Sequence, residues 1–99
     1  MIMHVVTFTW RPDASEDQIR ALTKELATLP SKIPALRSYH FGPDLRLRDG
    51  NADFAVAAVV DDADGVRGYL EHPAHVELVK NFVQPIVAGR NAVQMAIAD

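Results

Sequence analysis

The chain predicts an α+β domain of order β-α-β-β-α-β, the ferredoxin-like arrangement, built on a four-stranded antiparallel sheet. Three observations carry this expectation. Residues Ile2 to Trp10 alternate with a period of two, two stretches of helical period follow recognisable start signals, and Phe54 to Val60 is an unbroken apolar run of strand length.

The first strand puts Ile2, His4, Val6, Phe8 and Trp10 on one face and Met3, Val5, Thr7 and Thr9 on the other, and Arg11-Pro12-Asp13 ends it. Ser15 followed by Gln18 is a capping-box pattern, which supplies two of the hydrogen bonds that a helix start lacks. Ile19, Leu22, Leu26 and Leu29 then recur at helical spacing, so a first helix is expected to about Leu29, stopping at Pro30. Leu36 to Phe41 reads as a second strand closed by Gly42-Pro43, and the polar stretch through Asp49-Gly50-Asn51 turns the chain into the third, Phe54 to Val60.

Asp61, Asp62 and Asp64 place negative charge where it favours the start of a second helix, whose inner face is Val66, Tyr69 and Leu70. His72-Pro73 interrupts it. Proline suits a first helical turn, so a further helix begins there, with His75, Leu78, Val79, Phe82 and Ile86 on one side and an end near Gly89. Ala92 to Ala98 is the expected fourth strand.

At 99 residues the chain suits a single domain over 1–99, and one of this size buries only about two-thirds of its unfolded surface. Its composition, 48% apolar and 23% charged, is that of a globular protein with a packed core. The absence of cysteine removes disulfides and thiolate chemistry. No apolar run approaches the roughly 20 residues that span a bilayer, and Met1-Ile2-Met3-His4 lacks the features of a signal peptide, so no membrane role and a cytoplasmic location are expected. The net charge is −3 and the arginines are scattered among acids, which argues against nucleic acid as a partner.

An antiparallel sheet with helices on one side ordinarily shows water a polar face, yet Phe54 to Val60 has no polar side chain on either face, and Met3 and Val5 lie on the odd face of the first strand. A second copy packing sheet to sheet is the economical cover, and a charge in the third strand, as in Val56→Asp, is expected to break that homodimer.

Four short motifs carry a resemblance: His4-Val5-Val6-x-Phe8; Ile33-Pro34-x-Leu36-x-Ser38-Tyr39; Gly42-Pro43-Asp44; and Tyr69-Leu70-x-His72-Pro73-Ala74-His75. In this order, over nearly the whole length, they resemble the stress-responsive dimeric α/β-barrel family. The resemblance implies two ferredoxin-like subunits whose sheets make a shared barrel. One member, the plant polyketide cyclase olivetolic acid cyclase, closes a ring by aldol condensation with no cofactor. The residues that carry that chemistry match His4, Tyr69 and His75 here. The first helix departs from that enzyme, offering Leu22, Thr23 and Leu26 where it has aromatics, so a differently shaped pocket is implied and Thr23 could add a polar contact.

Strand and helix periodicity turn both His4 and His75 inward, and burial disfavours imidazolium, leaving a neutral ring able to accept a proton. In an aldol-type closure His75 would be the general base, Tyr69 would hydrogen-bond the developing enolate, and His4 would orient His75 or a substrate oxygen. No cofactor and no metal is expected; His72 and His75 straddle a helix break with no carboxylate at ligand spacing, and His72 reads as a cap. The ligand would be a small hydrophobic or aromatic compound. Three alternatives stay open: His4 and His75 as purely structural groups tying strand to helix, a non-catalytic ligand-binding or stress-response domain, and a cofactor-independent monooxygenase. Trp10 could line a pocket mouth or a dimer contact.

Overall fold

A computed structural model of the chain describes residues 1–98. The elements are β1 (Ile2–Trp10), α1 (Glu16–Lys32), β2 (Ser38–Pro43), β3 (Phe54–Val60), α2 (Ala63–Leu70), α3 (Pro73–Leu78), a π-helical turn (Val79–Val83) and β4 (Val87–Ala96). The order expected from the sequence holds, with the second helical unit broken as predicted. The four strands form one antiparallel sheet of order β2-β3-β1-β4.

Local chemistry accounts for most of the boundaries. Ser15 and Gln18 complete the capping box of α1, Asp62 caps α2 by accepting from Gly65 N–H at 2.9 Å, and His72 caps α3 by accepting from Ala74 N–H at 3.0 Å. Pro73 sits in the first turn of α3, where its missing N–H costs no bond.

Three expected boundaries are corrected. α1 does not stop at Pro30 but continues to Lys32. A proline that late removes one ladder bond, and Leu29 and Ile33, each 1% exposed, pull the last turn onto the core. β2 begins at Ser38 instead of Leu36, because Leu36 N–H turns back to Ile33 carbonyl and the ladder opens only with Arg37 N–H donating to Val59 carbonyl. The third helical segment does not reach Gly89. It loosens into the π turn after Leu78, and β4 starts at Val87, pairing Gly89 with Thr9 and Arg90 with Phe8.

Cross-strand partners share a face. His4, Val6 and Phe8 of β1 align with Ala58, Val56 and Phe54 of β3 and with Gln94, Ala92 and Arg90 of β4. This face lies under the helices, and Val6, Phe8, Phe54, Val56 and Ala58 join Leu22, Leu26, Leu29, Tyr69 and Leu78 in the core. Val56 therefore faces the helices, and Val56→Asp would strike this core, whereas the third strand's open-face residues are Ala55, Ala57 and Val59. No helix covers their side of the sheet, where Met3 and Val5 also lie and where Val93 and Met95 are 54% and 47% exposed.

Trp10 is partly buried against the helix-side core. It stacks on Phe8 with ring centres 5.4 Å apart and tilts against Phe54, while its backbone N–H donates to Asp53 Oδ2 at 2.7 Å. Arg46, at positive φ, pairs with the same carboxylate and ties the long β2–β3 connection to the end of β1.

Candidate active site

The break between α2 and α3 brings Tyr69 and His75 to the same place. Tyr69, on the buried face of α2, is 2% exposed, and its ring centre lies 4.5 Å from that of His75 near the start of α3. His4 rises from the sheet below, also 2% exposed, with its ring edge-on to Tyr69 at 6.0 Å. The three residues that periodicity turned inward thus line one cavity of about 220 Å³, together with Val6, Phe8, Leu70, Val79, Val83, Gln84, Val87 and Arg90. A larger concavity of about 420 Å³ lies at the β2–β3 connection and holds none of these groups.

Each histidine has one ring nitrogen engaged. His75 Nδ1 lies 3.1 Å from the Leu70 carbonyl, which can only accept, so Nδ1 carries the proton and Nε2 holds the free lone pair of the neutral ring. That carbonyl is available because α2 ends at Leu70; the His72-Pro73 break creates the acceptor. His4 Nδ1 lies 2.8 Å from the Gln94 amide nitrogen, which donates, so His4 carries its proton on Nε2. Among the described residues no buried side-chain nitrogen or oxygen lacks a partner, and neither Nε2 has one. Both therefore reach open space, one as acceptor and the other as donor.

Burial lowers the pKa of both rings, with Arg90 adding to the effect on each and the Leu70 bond partly opposing it at His75. Both are held in the neutral form near pH 7. Tyr69 is pushed up to about 12 by burial, so it stays a phenol. Its hydroxyl meets that of Tyr39 at 2.6 Å, and burial raises the Tyr39 hydroxyl as well.

Sequence reasoning missed five contributors. Tyr39 shares the inward face of β2 with Phe41, and its pairing with Tyr69 depends on how α2 crosses the sheet. Arg90 was hidden because it was placed outside a strand, and Gln94, though inside the expected strand, was not singled out. Once β4 is known to start at Val87, its period of two puts both on the face of His4. Gln84 and Val83 reach the cavity through the π turn, in which Gln84 N–H donates to Val79 carbonyl at 2.9 Å, a bond spanning five residues. The first helix, conversely, does not line the cavity. Leu22 and Leu26 are in the core, and Thr23 Oγ1 donates to the Ile19 carbonyl of its own helix at 2.9 Å. No hydrogen bond joins His4 to His75; each is held by its own partner.

Among the described residues no group of three or more His, Asp or Glu side chains is arranged to hold a metal ion, and no helix is long and apolar enough to cross a membrane.

Comparison with known proteins agrees with this architecture. An uncharacterised protein of Streptomyces coelicolor is 34% identical over 93 residues, covering 89% of this chain and 96% of its own. A dimeric ferredoxin-like protein of unknown function from Thermobifida fusca superposes with a TM-score of 0.90 at 42% identity, over 97% of this chain and 90% of the other. Hydroxynitrile lyase from Passiflora edulis shares the fold, with a TM-score of 0.84 at 18% identity over 99% and 94% of the two chains. The family model of the stress responsive A/B barrel domain matches residues 2–97, nearly the whole chain, and the protein belongs to that family.

Proposed function

We propose that this stress-responsive A/B barrel protein is a cofactor-free lyase or cyclase that makes or breaks a carbon–carbon bond next to a carbonyl, with His75 as general base. The observation that carries the reading is the Leu70 carbonyl on His75 Nδ1, which leaves Nε2 as the basic atom of a neutral ring in a largely apolar cavity. His75 Nε2 takes a proton alpha to the carbonyl. The phenol of Tyr69, itself bonded to Tyr39, donates to the oxygen as it becomes an enolate. His4 Nε2–H orients a second substrate oxygen. The enolate carbon attacks a second carbonyl carbon of the same substrate, forming the carbon–carbon bond as that carbonyl's electron pair moves to its oxygen, and the proton passes from His75 to that oxygen, so the protein ends unchanged.

General-base assistance is worth roughly 10²–10⁴ in rate, enough for an activated polyketone or for a cyanohydrin, whose hydroxyl proton His75 Nε2 would take as the carbonyl forms and the bond to cyanide breaks, the proton then leaving with cyanide as hydrogen cyanide. The test is ring closure of a small linear aromatic polyketone, followed by absorbance, with cleavage of mandelonitrile as a second probe. The wild type is expected to exceed His75→Ala by roughly that factor on at least one of the two. Equal rates for both proteins on both probes, or oxygen uptake during turnover, would remove the reading.

A homodimer through the open sheet face belongs to the same proposal. The uncovered side carries Met3, Val5, Ala57, Val93 and Met95, and the exposed Leu45 and Leu47 extend it beside Thr7 and Ala55. An apolar surface of that extent fits a self-complementary two-fold contact. The cavity of each subunit would then stay open on the opposite side of its sheet.

A further inference from the structure

Charge is distributed unevenly around the cavity. The space beside His4 and His75 adjoins a more open concavity lined by Leu70, His75, Val76, Val79, Lys80 and Gln84. Across both, among the described residues, the only side chains that are charged at neutral pH are Arg90 and Lys80, and no described aspartate or glutamate faces either, although the chain as a whole carries −3. Arg20, Arg37, Arg46 and Arg67 each hold an acid within ion-pair distance. Arg90 and Lys80 make no ion pair or hydrogen bond among the described residues.

The fold explains how Arg90 comes to be there. It pairs with Phe8 in the β1–β4 ladder, two positions from Ala92 and four from Gln94, so it lies on the helix side of the sheet in line with His4. It is therefore off the face that a second copy would cover. A planar guanidinium with five donors matches a carboxylate, and apolar walls strengthen that attraction relative to open water.

We infer that the cavity takes a small organic monoanion, a carboxylate whose charged end pairs with Arg90 while its aromatic or alkyl body lies among Val6, Phe8, Val83 and Val87. Lys80 supports the same charge from the outer concavity. A volume of about 220 Å³ is below the range of drug-sized sites and limits the body to a single ring or a short chain. The inference rests on the reading of this cavity as a ligand site and names the class of ligand. For a 3-keto acid the carboxylate would anchor on Arg90, with the carbon between it and the ketone left for His75.

The test is an NMR titration of the full chain with benzoate and with benzamide, which share a ring and differ in charge, following the ring signals of His4 and His75. Benzoate is expected to bind roughly tenfold or more tightly than benzamide. Arg90→Gln should erase that preference and Arg90→Lys should keep part of it. Arg90 is exposed, so both variants should retain the wild-type amide spectrum elsewhere. Equal affinity for the two probes, or a preference that survives Arg90→Gln, would overturn the anion assignment while leaving the cavity as a ligand site. If neither probe moves the two histidine signals, the assignment and the ligand-site reading fall together.

Discussion

The two faces of the sheet are made from the same four strands and have opposite characters. On the helix side, β1 contributes His4, Val6 and Phe8, and the helices bury all three. On the other side the same strand contributes Met3, Val5 and Thr7, side chains no less apolar on average, and among the described residues no helix covers them. The difference teaches that hydrophobicity alone does not mark the core. The covered face is distinguished by polar groups that find partners there: His4 with Gln94, Tyr39 with Tyr69, and His75 with the freed carbonyl of Leu70. The proposed chemistry lies where packing holds polar groups still, and the proposed self-contact lies on the face whose apolar side chains, Met3, Val5, Ala57, Val93 and Met95, are interspersed with Thr7, His40 and Asn91.

The sharpest way to break this contrast is to place one charge on either side of β3. Val56→Asp buries a carboxylate in the core, where an unpaired charge costs several kcal/mol, and should yield no folded protein by circular dichroism. Ala57→Asp, one residue on and half-exposed, should fold and run as a monomer in light scattering. A folded Val56→Asp dimer would reverse the assignment of faces.

A smaller effect probes how closely α2 lies on the sheet. A Cβ on Gly65 would come within 2.9 Å of Val60 Cβ, so Gly65→Ala must shift the helix and is expected to cost about 1–3 kcal/mol in urea unfolding. Gly68, whose added Cβ would meet Ala35 at an ordinary 3.7 Å, is the control and should tolerate alanine.

The buried His4 and partly buried His75 give the covered face a pH dependence of known sign. Both have pKa values below the ordinary 6.5. Above 6.5 the ring is neutral in folded and unfolded chains alike. As the pH falls below it the unfolded chain takes up the proton first, so stability is lost down to the folded-state pKa. The loss is at most about 1.4 kcal/mol per pH unit for each ring. Thermal unfolding should therefore drop in midpoint between pH 7 and 5, and His75→Gln should flatten the slope. Smallest of the set, Tyr39→Phe removes one phenol–phenol bond and should cost about 0.5–1.5 kcal/mol in the same assay while slowing turnover through the looser Tyr69.

The sequence carries the element order because each element obeys its own short-range rule: alternation in β1, a capping box before α1, and proline at the first turn of α3. His4, Tyr69 and His75 were legible for the same reason, since a period of two or of three to four residues decides which way a side chain faces. The start of β4 was not. Val87-Ala88-Gly89-Arg90 has weak alternation, and it pairs with β1 through a register shift at Thr9 and Trp10 that only the partner strand determines. With it went Arg90. The π turn was also beyond reach, because a single bond from Gln84 N–H to the Val79 carbonyl has no periodic signature, and Gln84 and Val83 line the cavity at its end. Tyr39 and Tyr69 meet across thirty residues of sequence, a contact with no local signature.

The central claim is that His75 is a neutral base with its free lone pair on Nε2. Long-range ¹H–¹⁵N correlation spectra of the imidazole rings, recorded across a pH titration, read it directly. At pH 7 they should find His75 in the Nδ1–H form, with a pKa below 6.5. An Nε2–H ring, or a pKa above 6.5, would contradict the account.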